Sequence, residues 1–183
     1  FISWKGNIKN TDTTHSTRAA EALKVLGSQT MQGSAAGMTD MMALVQNPNT
    51  QWIATVTYHF NANGTQIPTL ASLQILPGET RVLGVFDYQG SLSSADFAID
   101  RIDWAHIDRH SVGDSVAFMK EHYQFKVSNE KYDNAESVLT TDRVTFDIKN
   151  ESPYGYFEAG LDVVLTLNGS VVGVEQVTVA PIA

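Results

Sequence analysis

The sequence contains no cysteine. This absence excludes disulfide bonds, thiolate metal sites and a cysteine nucleophile. A chain of 183 residues without cysteine fits a bacterial or archaeal protein that works outside the cytosol, where stray thiols oxidise. We therefore expect an extracellular or cell-surface location.

Basic residues and long apolar runs are also scarce. Lys and Arg number 12 against 20 Asp and Glu, which gives a net charge of −8 at pH 7. Nucleic acids and anionic membrane surfaces both attract clustered positive charge, so this balance argues against either as a partner. No apolar run approaches the roughly 18–20 residues that span a bilayer, so we expect no transmembrane segment in this chain.

Recognisable catalytic motifs are missing as well. The sequence has no GxSxG, HExxH, Walker or GxGxxG pattern. Its Ser, His and Asp residues do not fall into a familiar nucleophile setting. The sequence thus predicts a protein that is not an enzyme and needs no cofactor.

Short alternating segments make up most of the chain. Val56, Tyr58 and Phe60 alternate with polar residues and lead into "NANG", where Gly64 suits a hairpin turn. "LQILPGETRVLGVF" reads as a strand, a Pro-Gly turn and a second strand. Such segments recur at intervals of roughly ten residues, which is typical of a β-sandwich rather than a βαβ fold.

One segment has a helical pattern. In "TRAAEALKVLG", Ala20, Leu23 and Leu26 lie near one face, and Gly27 can end the helix. It belongs to a stretch rich in Ser, Thr, Gly and Ala that differs in composition from the rest of the chain. We expect a short helix in this N-terminal segment.

The sequence contains an internal repeat. "MALVQNPNTQWIATVTYHFNANG" aligns with "TFDIKNESPYGYFEAGLDVVLTLNG", each with an Asn bend, an aromatic residue, an alternating strand and an Asn-Gly turn. We interpret the pair as two immunoglobulin-like β-sandwich repeats in an all-β chain. The predicted segments are an N-terminal strand over 1–10, a Ser/Thr/Gly-rich segment with the short helix over 11–40, and the two repeats over 41–112 and 113–183.

The two copies differ in length. The first continues past Pro77 through two further predicted strands, whereas the second reaches Pro181 just before Ala183. A sandwich without its last strands has an unpaired edge and an open core. We therefore expect the second repeat to be truncated, and to be completed in cis, in trans or by sequence outside this chain.

Residues 40–183 resemble a known group of proteins. "LVQNPNTQWIATVTYHFNANG", "ILPGETRVL" and "FDIKNESPYGYFEAGLDVVLTLNG" are similar to tandem β-sandwich envelope proteins of small-genome bacteria, of the FxLYD and LEA14-like type. The resemblance implies a non-catalytic sandwich that follows a membrane anchor or a signal.

The start of the chain resembles a second family. "FISWKGNIKN" is similar to the N-terminal donor segment of chaperone–usher pilus subunits, in which an extended strand enters the groove of the next subunit. The resemblance implies that Ile2, Trp4 and Ile8 fill such a groove, while Gly6 allows close backbone approach. These four residues are the predicted assembly strand.

The strongest polar cluster is "DRIDWAHIDRH". On a strand, His106, Asp108 and His110 would share one face and could bind a metal ion. The same pattern also suits a solvated strand edge whose charges discourage aggregation, or a pH-sensitive contact. These three residues are weak metal candidates, and we expect no metal site.

Two functions remain after these exclusions. The first is an extracellular structural protein, a filament or pilus-like subunit that associates with its own copies by strand donation. The second is a membrane-tethered extracytoplasmic module for adhesion or binding, which recognises a surface protein or a glycan. Size measurement separates the two, because the second predicts a monomer.

Overall fold

The computed structural model describes residues 19–69, 72–108, 112–133 and 143–180. The described chain is mostly strand with one short helix, so the all-β prediction is confirmed. In order, its elements are β1 (Lys24–Gln32), β2 (Met38–Gln46), β3 (Trp52–Ala62), β4 (Thr65–Pro68), β5 (Leu73–Ile75), β6 (Thr80–Gln89), β7 (Asp96–His106), α1 (Ser115–His122), β8 (Phe125–Asp133), β9 (Arg143–Asn150), β10 (Ala159–Leu167) and β11 (Ser170–Val179).

The described residues form two compact units. The first unit comprises 19–116 together with 162–175, and the second comprises 117–161 together with 176–180. The division passes through the hairpin of β10 and β11, whose turn end belongs to the first unit. Within the described residues, no helix is long and apolar enough to cross a membrane.

The first unit contains two antiparallel sheets. One has the order β1-β2-β6, and in the other β3 pairs with β4 and β5 along one edge and with β7 along the other. Each sheet can bury one apolar face, because successive side chains of a strand point to opposite faces. In β3, Val56, Tyr58 and Phe60 are buried, whereas the polar residues between them are more exposed.

The inward faces of the two sheets share one apolar core. Met41, Ala43 and Val45 of β2 pack with the buried side of β3, and Leu83 of β6 joins them. The Tyr58 hydroxyl donates to the carbonyl oxygen of Gly84 at 3.0 Å, which ties β3 to β6. These contacts give the first unit its sandwich character.

The outward face of the β1-β2-β6 sheet is apolar too. Met42 and Val82 are buried there against Val174, and Phe86 and Val171 pack around them. The residues of β2 are therefore buried on both faces, which explains its nearly continuous apolar sequence. The turn end of the β10–β11 hairpin covers this second face.

The predicted N-terminal helix is wrong over the described residues. Residues 19–23 have no regular structure, and Lys24 begins β1. Asn49 binds Glu21 through both backbone groups, with Glu21 N–H donating to Oδ1 and Nδ2 donating to the Glu21 carbonyl, each at 2.7 Å. These long-range bonds and the pairing with β2 outweigh the local helix preference. The first sheet therefore begins at Lys24, inside the segment assigned to 11–40.

Both Asn-Gly turns form as the sequence indicates. Asn63 and Gly64 have φ of 51° and 76°, and Asn168 and Gly169 have φ of 51° and 82°. Positive φ at both central residues defines the type I′ hairpin turn, which Asn-Gly favours. Each turn joins two strands, β3 to β4 and β10 to β11.

A buried asparagine holds the end of the first sandwich together. Asn47 Nδ2 donates to the carbonyl oxygens of Trp52 at 2.6 Å and Ile75 at 3.1 Å. Its Oδ1 accepts from the backbone N–H of Asn49 at 3.0 Å and from Asn49 Nδ2 at 2.9 Å. All the hydrogen-bonding capacity of this amide is used, so its burial carries no unpaired polar group.

The second unit has a much smaller core. Its strands β8 and β9 pair antiparallel, with Val127 opposite Ile148. Ala159 is the one fully buried member of its apolar cluster, and Phe125, Ile148 and Tyr156 pack against it while remaining partly exposed.

Replacing Asn47 tests the importance of its amide network. Asn47→Ala leaves two backbone carbonyls and one backbone N–H without their partner, so we expect a loss of about 3 kcal/mol in the free energy of unfolding. Urea unfolding followed by tryptophan fluorescence measures this, because Trp52 and Trp104 lie in the first unit. Asn61→Ala is the control, since Asn61 is exposed and bonds His59 at the surface. Equal losses in the two variants would contradict the role of Asn47.

Candidate assembly surface

The bend at Asn150 repeats the geometry of the bend at Asn47. Asn150 Oδ1 accepts from the Ser152 N–H at 3.0 Å, as Asn47 Oδ1 accepts from the residue two positions on. Its Nδ2 donates to the carbonyl of Tyr154, as Asn47 donates to Trp52. The two Asn bends therefore share their chemistry as well as their sequence pattern.

Corresponding positions of β2 and β9 in the two copies differ sharply in burial. Met41, Ala43 and Val45 of β2 are fully buried, whereas the residues 103 positions later, Val144, Phe146 and Ile148 of β9, are only half-buried. Tyr132 of β8 lies opposite Val144 and is exposed. We call Tyr132, Val144, Phe146 and Ile148 the acceptor face.

The hairpin of β10 and β11 shows the same contrast. Ile67 of β4 is 7% exposed, whereas Val172, 105 positions later, is 51% exposed. Ala62, at the end of β3, is buried, whereas its counterpart Leu167 is 63% exposed. These two positions are thus inward in the first copy and exposed in the second.

Strand pairing differs between the copies as well. β2 pairs with β1 on one edge and β6 on the other. β9 pairs with β8, and in the described part of the chain no strand takes the position that β6 takes beside β2. An open sheet edge beside an apolar face is the combination that strand addition uses.

The predicted assembly strand lies outside the described residues. Ile2, Trp4, Gly6 and Ile8 therefore keep the status of a prediction from the sequence.

The predicted metal candidates do not share one strand. β7 ends at His106, so Asp108 follows the strand, and His110 lies outside the described residues. The His106 ring packs edge-on against Trp52, with centroids 4.7 Å apart. Among the residues that the structure describes, no group of three or more His, Cys, Asp or Glu is placed to hold a metal ion.

Sequence reasoning missed a charged cluster on β6. Arg81 is buried and pairs with Asp162, with Nε and Oδ2 3.4 Å apart. Asp162 Oδ2 also accepts from the Val82 N–H at 3.4 Å. Because these residues are far apart in sequence, no local pattern indicates the pair.

Glu79 lies in the turn that leads into β6. Its Oε2 accepts from the Leu76 N–H at 2.7 Å, and its own N–H donates to the Leu76 carbonyl at 3.1 Å. Burial raises the pKa of Glu79 to about 8, against the opposing effects of this hydrogen bond and of Arg81. A perturbed carboxyl can mark a catalytic site, but this one bonds to the backbone of its own turn, which is a structural role.

No family model, no curated protein and no solved structure matches this chain.

The pKa of Glu79 predicts a pH dependence of stability. Between pH 4.5 and about 8, Glu79 keeps its proton in the folded protein but has released it in the unfolded chain. Its contribution to the free energy of unfolding therefore falls as pH rises through that window. Glu79→Gln keeps an oxygen for the Leu76 N–H and cannot ionise. We expect the free energy of unfolding of the variant, relative to that of the native protein, to increase as pH rises. The increase is on the order of 2 kcal/mol after allowing for the partial exposure of Glu79.

Urea unfolding at pH 5 and pH 9 measures this difference. Glu130→Gln is the control, because Glu130 is exposed on β8. If the free energies of unfolding of Glu79→Gln and the native protein change equally between pH 5 and pH 9, the raised pKa of Glu79 is contradicted.

Proposed function

We propose that this chain is a non-catalytic, extracellular structural protein that assembles with copies of itself by β-strand donation. Residues 1–10 of one copy add as a strand to the open edge of β9 in the next. The observation that carries the proposal is the acceptor face, which is half-exposed where the matching positions of β2 are fully buried.

The proposal includes a fold assignment. We take both repeats, 41–112 and 113–183, as immunoglobulin-like sandwiches, the second with no strands equivalent to β6 and β7 among the described residues. The shared Asn bends and Asn-Gly turns support this, as does the common pairing of Val25 with Val45 and of Val127 with Ile148.

The pattern of the donor segment fits the acceptor face. Ile2, Trp4 and Ile8 alternate with polar residues, so they share one side of an extended strand. The acceptor residues Val144, Phe146 and Ile148 also alternate along β9. β6, which fills the corresponding position in the first unit, has 10 residues, and β9 has 8. A ten-residue donor is therefore long enough to pair along the whole of β9.

Apolar burial and backbone pairing are both needed. Burying three large apolar side chains stabilises a complex by about 6 kcal/mol before ordering costs. Micromolar binding requires about 8 kcal/mol, so side chains alone are not sufficient. The main-chain hydrogen bonds of an added strand supply the rest, because they satisfy N–H and C=O groups along the edge of β9.

An exposed aromatic group supports the alternative function, a membrane-tethered binding module. The His122 ring stacks between Phe118 and Tyr154, with centroids 3.7 Å apart on each side. Phe157 is 94% exposed. Exposed aromatic side chains are enriched where proteins bind partners. On this reading the purified chain is a monomer that binds a glycan or a surface protein.

Changing the donor side chains tests strand donation without altering the acceptor face. Trp4→Asp places a charge where the proposal buries an indole, so we expect polymers to be lost. Ser3→Asp is the matched control, because Ser3 lies on the opposite side of the strand. Light scattering after size-exclusion chromatography and negative-stain electron microscopy measure the outcome. Polymers that persist in Trp4→Asp, or a native protein that is monomeric, would overturn the proposal.

Changing the acceptor face provides an independent test. Phe146→Asp introduces a charge on the face, whereas Thr145→Asp places the same charge on the exposed side of β9. We expect Phe146→Asp to weaken binding of a synthetic peptide of residues 1–10 by at least tenfold, about 1.4 kcal/mol. Fluorescence anisotropy with the Trp4→Asp protein as receptor measures it, and circular dichroism checks folding. If Phe146→Asp and Thr145→Asp bind the peptide with equal affinity, the donor strand does not bind at the acceptor face.

A further inference from the structure

The outer edge of β1 is a long strand edge with little charge. β1 lies at the end of the β1-β2-β6 sheet and pairs with β2, and its other edge pairs with no strand in the described ranges. Lys24 is the one charged residue among the nine, at the strand's beginning. It forms an ion pair with Glu21 at 3.7 Å.

The other long edges of the first unit carry charge. β7 contains Asp96, Asp100, Arg101 and Asp103, and its pairing with β3 has a register shift. β6 carries the exposed Asp87, and its pairing with β2 also shifts. Charges and bulges are the usual means by which an edge strand avoids adding another strand. On β1 the register shift comes early, between Val25 and Gly27, and regular pairing follows to Gln32.

Apolar side chains are exposed on β1. Val25 is 50% exposed and Leu26 is 55% exposed. An edge that is long, uncharged and partly apolar favours pairing with another strand. Its regular part, Gly27–Gln32, can supply a full ladder of backbone hydrogen bonds.

We propose that β1 pairs antiparallel with β1 of a second copy, so that the two β1-β2-β6 sheets become one continuous six-stranded sheet. A two-fold axis at Gln29 places Ser28 opposite Thr30 of the second copy and Gly27 opposite Met31. Facing hydroxyl residues on an antiparallel pair stabilise it.

Charge favours a second copy of β1 over the other described edges. Lys24 lies outside the paired stretch, so like charges do not face each other across the axis. The described edges of β6 and β7 would each bring charged residues against an uncharged strand. An isologous pair also closes after two copies. It therefore joins two chains without forming a polymer, unlike strand donation.

Charge swapping at Ser28 tests this pairing. Ser28 is exposed, and near the two-fold axis the two copies of residue 28 lie within reach of each other. The experiment uses the full chain carrying Trp4→Asp, so that strand donation does not contribute to its size. We expect this protein to be a dimer in sedimentation equilibrium. Adding Ser28→Lys or Ser28→Glu should weaken the dimer at least tenfold, and an equimolar mixture of the two should restore it.

Matched controls separate this interface from other effects. Ala105→Lys places the same charge on β7, where we expect no change in the dimer. Ser28→Thr keeps the hydroxyl and should leave the dimer intact. The proposal is overturned if the Trp4→Asp protein is monomeric at high concentration, if Ser28→Lys remains dimeric, or if the mixture stays dissociated. If polymers persist in the Trp4→Asp protein, the strand-donation proposal is wrong. In that case the Ser28 variants test the β1 pairing through the loss of cross-links between polymers.

Discussion

The buried amide of Asn47 is the contact on which the first sandwich depends. It joins the end of β2 to the start of β3 through Trp52 and to β5 through Ile75. The backbone around it is joined to the turn before β6, since Asn47 N–H donates to the Glu79 carbonyl at 2.8 Å. One side chain thus fixes where strands of both sheets end, and the apolar core between the sheets follows from their register.

The same bend in the second unit lacks one of these connections. Asn150 bonds Ser152 and Tyr154, which are local, and within the described residues it makes no bond that corresponds to the Asn47 bond to Ile75. The local part of the motif therefore forms without the part that ties in a further strand. This difference agrees with the half-exposed acceptor face, because a strand that completes the bend would also cover that face.

Local chemistry decided which features the sequence could predict. Asn-Gly turns and the Asn bends depend on neighbouring residues, so they could be read directly. The helix prediction failed because Asn49 binds the backbone of Glu21 from 28 positions away. The Arg81–Asp162 pair was missed for the same reason, since it forms only when the hairpin turn end packs on the outward face of β2 and β6.

Charged residues are distributed unequally along the strand edges of the first unit. Acidic and basic residues on β6 and β7 make added strands costly there, whereas β1 has no charge beyond Lys24. Unequal protection within one unit and a half-exposed apolar face in the other are the two observations from which we propose two distinct pairing surfaces. The symmetries of the two proposed contacts differ, because donation from head to tail would extend a chain of copies, whereas the two-fold pairing of β1 would only join two such chains side by side.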